Sequence, residues 1–249
     1  MALDISVTIL TKNSERYLYD CLHGLREFDD IVILDNGSTD RSLEIAAQFA
    51  NVTVFRSDFI GFGPLKNRAA GYARHDWVLN IDSDEVLSGE LLDEIRSLTR
   101  EANTLYAIPR QNFYRNKLIK CCGWHPDRVL RLYHKQTTQF SETLVHESLD
   151  QAGGKRVVRL KHALNHHPFD SASELLQKMQ RYSELYAREN RGRKKSGPFR
   201  ALFHALFSFF QNYILQRGFL YGYEGFIISV SNANGVFYKY IMLYEESKK

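Results

Sequence analysis

The chain has 249 residues, of which 44% are hydrophobic, and a formal net charge of +4. This composition permits a full core and excludes global disorder, and so mild a charge does not by itself indicate a nucleic-acid-binding protein. Three cysteines, two of them adjacent, match neither a disulfide framework nor a zinc site, so we expect a reduced, cytoplasmic setting. The sequence predicts neither a secretory signal nor a transmembrane helix.

The first third of the chain alternates between short apolar runs and helical stripes. Apolar, mostly β-branched runs predict strands at residues 5–10, 31–34, 52–55 and 77–81. Apolar residues at helical spacing predict helices between these strands, and a further helix at 87–98 with Ser88 as its N-cap. This alternation predicts an α/β fold with a mostly parallel sheet and helices on both faces.

From residue 105 onward the pattern changes. Strands of a mixed sheet are predicted at 105–114, 129–133, 143–147 and 157–160. Ser171 and Glu174 match a capping box that opens a helix, and a second helical stretch covers 199–215. We therefore expect a catalytic domain at 1–170, divided into a nucleotide-binding half (1–104) and an acceptor half (105–170), and a helical region at 171–249.

Three carboxylates follow the predicted strand 77–81: Asp82, Asp84 and Glu85. Their mutual repulsion must be relieved by a bound cation, by proton uptake or by water. Ligands of open α/β sheets bind just beyond the carboxyl ends of strands. The stretch therefore predicts a divalent-metal site that holds a phosphorylated ligand, and a solvated acidic turn that caps the next helix is an equal alternative.

Two further sites carry polar side chains that suit a nucleotide. Asp35 ends the second predicted strand, where a carboxylate can accept from a nucleobase or a ribose hydroxyl, although a simple capped turn fits equally well. Lys66 and Arg68 open the helix after a glycine-containing loop and could pair with a diphosphate. The alternative for these two cations is a solvated helix face.

The ordered motifs together resemble a known family. They are TKN, ILDNGSTD, KNRAAGYARHDWVLNIDSDE, WHPDRVLRLYHK and LVHESL. This set is similar to the family 2 glycosyltransferases, which have the GT-A fold and use nucleotide-diphospho-sugars. Within this family the chain resembles the branch of lipopolysaccharide core biosynthesis, whose members are glucosyltransferases acting on the inner-core heptose.

The resemblance implies roles for the donor site. Asp84 would bind Mn²⁺ or Mg²⁺ directly, and Asp82 would lie nearer the ribose or the waters of the metal. Asp35 would contact the uracil or the ribose. Thr11 and Asn13 would lie beside the base.

The same resemblance suggests the catalytic base. Family members often supply an acidic residue in a segment like LVHESL, so Glu147 is the first candidate and Asp127 the second. A surface pair at a strand end is the alternative for the first of these. His162, His166 and His167 could donate to the diphosphate or complete the metal shell, with His166 as the metal ligand, or they could form a polar loop.

The second helical stretch carries an aromatic stripe and follows a basic cluster. The stripe comprises Phe199, Leu202, Phe203, Leu206, Phe207, Phe210 and Ile214. The cluster comprises Arg191, Arg193, Lys194 and Lys195. This combination is typical of an interfacial helix on anionic lipid, and packing on the catalytic domain or on a second subunit is the alternative.

These observations lead to one expected activity. The chain is predicted to be an inverting, metal-dependent enzyme that transfers a hexose, expected to be glucose, from a UDP-sugar to a lipid-linked inner-core oligosaccharide. It would act as a peripheral protein at the cytoplasmic face of the inner membrane and would bind no nucleic acid. The alternatives are transfer to a polyprenyl phosphate or another surface glycan, and a non-catalytic module that binds a nucleotide sugar or nucleic acid.

Overall fold

The computed structural model describes residues 3–142 and 148–248 and divides them into two compact units. The sheet unit contains the residues up to Gln111 together with residues 127–166. The helical unit contains residues 112–126 and the residues from His167 onward. Residues 143–147, which include a predicted strand, lie outside the described residues.

The parallel part of the sheet unit has four strands. They are β1 (Ile5–Thr11), β2 (Ile31–Asp35), β3 (Val52–Arg56) and β4 (Trp77–Asp82). Their spatial order is β3-β2-β1-β4, and every neighbouring pair is parallel. The register places Thr11 opposite Asp35, and Leu10 opposite Asp82. The predicted polar residues therefore emerge at one edge, as parallel pairing requires.

Three helices connect these strands, and a fourth follows β4. They are α1 (Leu18–Gly24), α2 (Ser42–Ala46), α3 (Phe62–Tyr72) and α4 (Gly89–Ser97). The core between helices and sheet includes Ile5, Ile33 and Leu22, all fully buried. The predicted cap of α4 is confirmed, because Ser88 Oγ accepts from the Leu91 N–H at 3.2 Å. The helix begins later than predicted because a short strand, β5 (Glu85–Leu87), precedes it.

The second half of the sheet is mixed, as predicted. It comprises β6 (Thr104–Tyr114), β7 (Lys117–Leu118), β8 (Arg128–His134), β9 (Arg156–Arg159) and β10 (Leu164–Phe169). Strand β8 pairs antiparallel with β4 and with β6, β9 pairs parallel with β6, and β10 pairs antiparallel with β5. The sequence did not predict β5, β7 or β10, since the first two are very short and LNHHPF lacks β-branched residues.

The helical unit is built on three helices. They are α5 (Ala172–Asn190), α6 (Pro198–Phe210) and α7 (Gly222–Glu246), with a π-helical turn at Gln211–Leu215 and a 3₁₀ turn at Gly218–Tyr221. The predicted capping box at the start of α5 is confirmed, because Ser171 Oγ accepts from the Glu174 N–H at 3.1 Å. Within the described ranges, no helix has both the length and the apolar character needed to cross a membrane.

Helix α7 and the 3₁₀ turn approach each other closely at glycine residues, with a cysteine beside them. A Cβ at Gly225 would overlap the backbone carbonyl of Gly218, so only glycine lets α7 approach the 3₁₀ turn this closely. Cys122 packs beside them, with its Sγ 3.3 Å from Ser229 Oγ. All three cysteines of the chain are buried and free of disulfide bonds.

Candidate functional site

A cluster of charged side chains lies at the carboxyl end of β4. The Asp82 carboxylate, whose side chain is 35% exposed, accepts a hydrogen bond from Arg131 Nη2. Lys66 Nζ of α3 lies 3.5 Å from the other oxygen of the same carboxylate. Arg131 reaches Asp82 because β8 runs antiparallel beside β4, so its side chain crosses to the end of the neighbouring strand. Two nearly buried cations therefore hold one carboxylate.

The charges in this cluster stabilise one another. Burial opposes ionisation of Asp82, yet the neighbouring Arg131 and Lys66 outweigh it and hold the pKa of the carboxyl well below its usual range. Burial likewise disfavours the charged guanidinium of Arg131, and the carboxylates of Asp82 and Glu85 raise its pKa instead. Both members of the pair are therefore ionised at neutral pH.

Glu85 links this pair to a second arginine. Its side chain is fully buried, and its Oε2 accepts from the Asp82 N–H at 3.0 Å. Its Oε1 lies 2.5 Å from Arg131 Nη2 and 3.2 Å from Arg110 Nη1. Arg110 Nε in turn donates to Asp127 Oδ2 at 2.8 Å. A continuous chain of ion pairs thus joins the second base candidate to the acidic end of β4.

Sequence reasoning missed the two arginines and the buried position of Glu85. The alternation in RVLRLYH contained a signal for Arg131, since a charged residue within an apolar strand has to find a buried partner. The identity of that partner depends on β8 lying beside β4. Hydrophobic periodicity carries no information about such pairing.

Asp84 and His166 face each other beside this network. Asp84 Oδ2 lies 3.5 Å from His166 Nε2, and the histidine is 7% exposed. Strand pairing opposes His166 to Glu85, which places the imidazole next to the acidic turn. A carboxylate oxygen and an imidazole nitrogen fit a divalent cation that completes its shell with diphosphate oxygens and water.

Asp82 is engaged elsewhere, by Arg131 and Lys66. In the part of the chain that the structure describes, no group of three His, Cys, Asp or Glu side chains is arranged to hold a metal ion. A set of two protein ligands is typical of cations that bind mainly through substrate phosphates.

The three predicted histidines do not share one site. His162 Nδ1 lies 2.9 Å from Glu94 Oε2, and the ring of His167 stacks on Phe113 with the centroids 4.9 Å apart. His166 contacts the acidic turn through Asp84. The alternative of a polar loop is wrong for His166 and His167, because residues 164–169 form β10, whereas His162 precedes this strand.

The polar loops after β1 and β2 are tied together. The buried Asp35 carboxylate accepts from the backbone N–H groups of Gly37 and Ser38, at 3.0 and 3.1 Å. Asn13, with a left-handed φ of 53°, donates its N–H to Ser38 Oγ at 3.0 Å and accepts from Thr39 N at 2.8 Å through its side chain. These bonds fix the shape of the edge at which the two strands end.

Thr11 carries an unsatisfied hydroxyl at the same edge. Its side chain is 1% exposed, and its Oγ1 has no hydrogen-bond partner among residues 3–142 and 148–248. A buried hydroxyl without a partner is costly in a folded chain. A ligand group bound here would remove that cost.

The two cations predicted to pair with a diphosphate point to different partners. Lys66 is 4% exposed and directed at Asp82, whereas Arg68 Nη1 donates to Ser57 Oγ at 2.6 Å. The structure therefore does not direct the two cations at one position. Glu147, the first base candidate, lies outside the described residues.

Comparison with known proteins identifies the family. The profile of glycosyl transferase family 2 matches residues 6–157. An uncharacterized glycosyltransferase of Rickettsia conorii is 30% identical over 98% of this chain and 91% of its own length. The lipopolysaccharide core biosynthesis glycosyltransferase LpsC of Rhizobium meliloti is 25% identical over 98% and 93%, respectively.

The fold is also that of solved glycosyltransferases. The structure of a mannosyltransferase from Pyrobaculum calidifontis, in complex with GDP-Man and Mn²⁺, superposes with a TM-score of 0.53. Its sequence is 10% identical, and the match covers 98% of this chain and 87% of that one. With its curled mixed sheet and flanking helices, the chain has the GT-A fold and belongs to glycosyl transferase family 2.

Proposed function

We propose that this glycosyltransferase is an inverting enzyme that moves a hexose, expected to be glucose, from a UDP-sugar to the inner-core heptose of lipopolysaccharide. The observation that carries the proposal is the arrangement at the end of β4, where Asp84 faces His166 beside the paired Asp82. The full-length similarity to LpsC, whose name refers to lipopolysaccharide core biosynthesis, supports the acceptor class.

The nucleoside would bind at the edge formed by β1 and β2. The unpartnered hydroxyl of Thr11 and the carboxylate of Asp35 lie opposite each other in the strand register and suit the polar groups of a base and a ribose. Asn13 would lie beside the base at the same edge. The buried cation of Lys66 supports a diphosphate nearby, because its charge favours an anion. In this proposal Arg68 approaches the diphosphate only if it leaves Ser57.

Asp84 and His166 would hold Mn²⁺ or Mg²⁺. When bound, such an ion supplies Lewis-acid stabilisation of the leaving diphosphate. Asp82, held by Arg131 and Lys66, would contact the ribose or water of the metal shell. The Asp82 carboxylate would then orient the donor, while Asp84 binds the metal directly.

The acceptor hydroxyl needs a base on the face of the sugar opposite the leaving group. Glu147 is the first candidate for this base, and it would take the proton as the new glycosidic bond forms. Asp127 is the second candidate. Its carboxylate is held by Arg110, which gives it a fixed orientation.

The experiment is a transfer assay on the purified chain. Donors are UDP-glucose, UDP-galactose, UDP-N-acetylglucosamine and GDP-mannose, each with Mn²⁺, with Mg²⁺ or with a chelator. Acceptors are a heptose-terminated inner-core oligosaccharide and a polyprenyl phosphate. We expect metal-dependent transfer from UDP-glucose to the heptose, with inversion at the anomeric carbon as read by NMR.

Each part of the proposal has its own contradicting result. Transfer to the polyprenyl phosphate alone would contradict the acceptor, and a product with retained configuration would contradict the mechanism. Unchanged transfer activity in the presence of the chelator would contradict the proposed dependence on a divalent metal. A chain whose melting temperature responds to none of the nucleotide sugars would contradict the donor class, since a ligand of the folded state raises that temperature.

A further inference from the structure

Helix α6 presents a row of exposed apolar side chains. We call this row the outer face, and its side chains are between 48% and 90% exposed. It consists of Phe199, Leu202, Phe203, Leu206, Phe207 and Phe210. Aromatic side chains carry about 150 to 250 Å² each, so the row presents several hundred Å² of apolar surface. Contiguous patches of this size mark interaction sites on soluble proteins.

The opposite side of α6 is firmly packed within the helical unit. Ala201 is fully buried, and the ring of His204 stacks on Tyr240 of α7 with the centroids 4.9 Å apart. In the turn after α6, Asn212 Oδ1 accepts from Asn232 Nδ2 of α7 at 2.8 Å. These contacts fix the rotation of α6. The exposure of the outer face therefore follows from how the helix packs.

The outer face lies in a segment with a one-sided charge. Residues 191–223 contain six Arg and Lys residues and no Asp or Glu. The rest of the chain contains 27 Arg and Lys against 29 Asp and Glu, so the net positive charge of the protein comes from this segment. The cations flank the outer face in sequence: Arg193, Lys194 and Lys195 precede it, Arg200 lies within it, and Arg217 follows it.

We propose that the outer face binds the surface of an anionic lipid bilayer, with α6 parallel to the membrane plane. The phenylalanine and leucine side chains enter the boundary between headgroups and acyl chains, and the flanking cations contact lipid phosphates. A helix of 13 residues is about 20 Å long, which suits a position within one leaflet interface. This interaction goes beyond the transfer reaction and requires neither donor nor acceptor.

The charge of the segment favours a bilayer over a second copy of the chain. A symmetric dimer through the outer face would bring the same patch together from both protomers, because two-fold interfaces are isologous. Each segment would meet another cationic segment that contains no Asp or Glu of its own. An anionic lipid surface complements both the charge and the apolar side chains.

The test is co-sedimentation of the full chain with vesicles, without any sugar substrate. One vesicle set contains phosphatidylcholine with about 30% phosphatidylglycerol, a composition that supplies the anionic headgroups, and the other contains phosphatidylcholine alone. Two variants address the outer face and its charge: Phe203→Ser/Phe207→Ser/Phe210→Ser, and Arg193→Gln/Lys194→Gln/Lys195→Gln. Matched controls change exposed residues elsewhere, Leu176→Ser/Tyr238→Ser and Arg41→Gln/Lys120→Gln/Lys161→Gln.

We expect the wild-type chain and both controls to bind anionic vesicles. The serine variant should lose roughly 50-fold or more in affinity at every salt concentration, since burial of apolar area drives that part of binding. The glutamine variant should lose roughly fivefold per cation at low salt, or on the order of 100-fold in total, and much less at high salt.

Three results would overturn the proposal. They are no vesicle binding by the wild-type chain, wild-type binding by the serine variant, and a wild-type dimer that the serine variant converts to monomers without any vesicle binding. The last of these would assign the outer face to a second copy. Since no donor is present, these results are independent of whether the proposed transfer activity is correct.

Discussion

Two regions depart from the usual distribution of side chains, in opposite directions. At the end of β4, charged groups are buried: Glu85 is fully buried and Arg131 is 4% exposed. On the outer face of α6, apolar groups are exposed, with Phe199 at 90%. Each arrangement is unfavourable on its own, since buried charges lose hydration and exposed aromatic groups order water.

The two regions differ in how the unfavourable free energy of each arrangement is compensated. The buried charges are compensated inside the protein, because Asp82, Glu85 and Asp127 each pair with a guanidinium. In our proposal, the cost of the outer face is compensated by the lipid surface that it binds. A site that needs rigid geometry carries its own compensation, whereas a docking surface leaves it to the partner. Substitutions in the two regions test this difference.

The largest effect is expected for Arg131→Met. Removing the guanidinium leaves Asp82 with Lys66 alone and Glu85 buried beside Arg110 alone. Breaking one partner out of a buried ion-pair network typically costs about 3 to 5 kcal/mol of unfolding free energy. Urea denaturation measures this loss. The matched control is Arg41→Met, an exposed arginine paired with Glu44, for which we expect a change within about 0.5 kcal/mol.

Equal effects of the two substitutions would show that the network at β4 is weakly coupled. The interpretation can be sharpened with Arg131→Met combined with Glu85→Leu. If the cost of the single substitution comes from an uncompensated charge, the double variant should recover part of the lost stability.

The next effect is on activity. Asp84→Asn removes a charge and keeps the shape of the side chain, so the fold should survive. If Asp84 binds the metal, transfer should fall on the order of 10³-fold at saturating Mn²⁺, as for loss of a group that stabilises transition-state charge. The control is Asp93→Asn on α4, an exposed carboxylate. Near-wild-type transfer by the Asp84→Asn variant would show that Asp84 is not a metal ligand.

A smaller loss is expected for the catalytic base. Glu147→Gln should lower the transfer rate about 10²-fold while the affinity for the donor stays the same, because general-base catalysis contributes about 10² to 10⁴. Calorimetric titration with the UDP-sugar separates affinity from rate. Asp127→Asn is the comparison, and it should disturb Arg110 and thereby stability as well. If Asp127→Asn lowers the transfer rate more than Glu147→Gln does, at unchanged stability, Asp127 becomes the first candidate for the base.

How far the sequence predicted this structure depends on whether a feature is local. The strands β1 to β4 followed from apolar runs. The cap Ser88 followed from its place at the start of a helical stretch, and the cap Ser171 from Glu174 three positions on. Both are set by neighbours along the chain. Strand β10 could not be predicted, since Leu164–Phe169 has no strand periodicity and is held by pairing with a distant segment.

The candidate site divides in the same way. The sequence located Asp82 and Asp84, because acidic residues directly after a buried strand stand out. It did not locate Arg110 or Arg131, although both arginines bond to Glu85, because their positions depend on strands that pair across about 25 to 50 residues of sequence. Side chains that neutralise a buried carboxylate can come from any part of the chain. Only the tertiary structure selects them.

The smallest effect is expected on the stability of the outer face itself. Phe203→Ser/Phe207→Ser/Phe210→Ser should change the free energy of unfolding by no more than about 0.5 kcal/mol per residue, since substitutions at exposed sites are close to neutral. The contrasting change is Ala201→Leu, on the side of the same helix that packs within the unit. Ala201 is fully buried, and overfilling such a position costs about 1 to 3 kcal/mol. Urea denaturation of both variants without vesicles measures the difference. A destabilised serine variant beside a tolerant Ala201→Leu would mean that the outer face packs against protein, and the contrast between an internally compensated site and an open docking surface would then be lost.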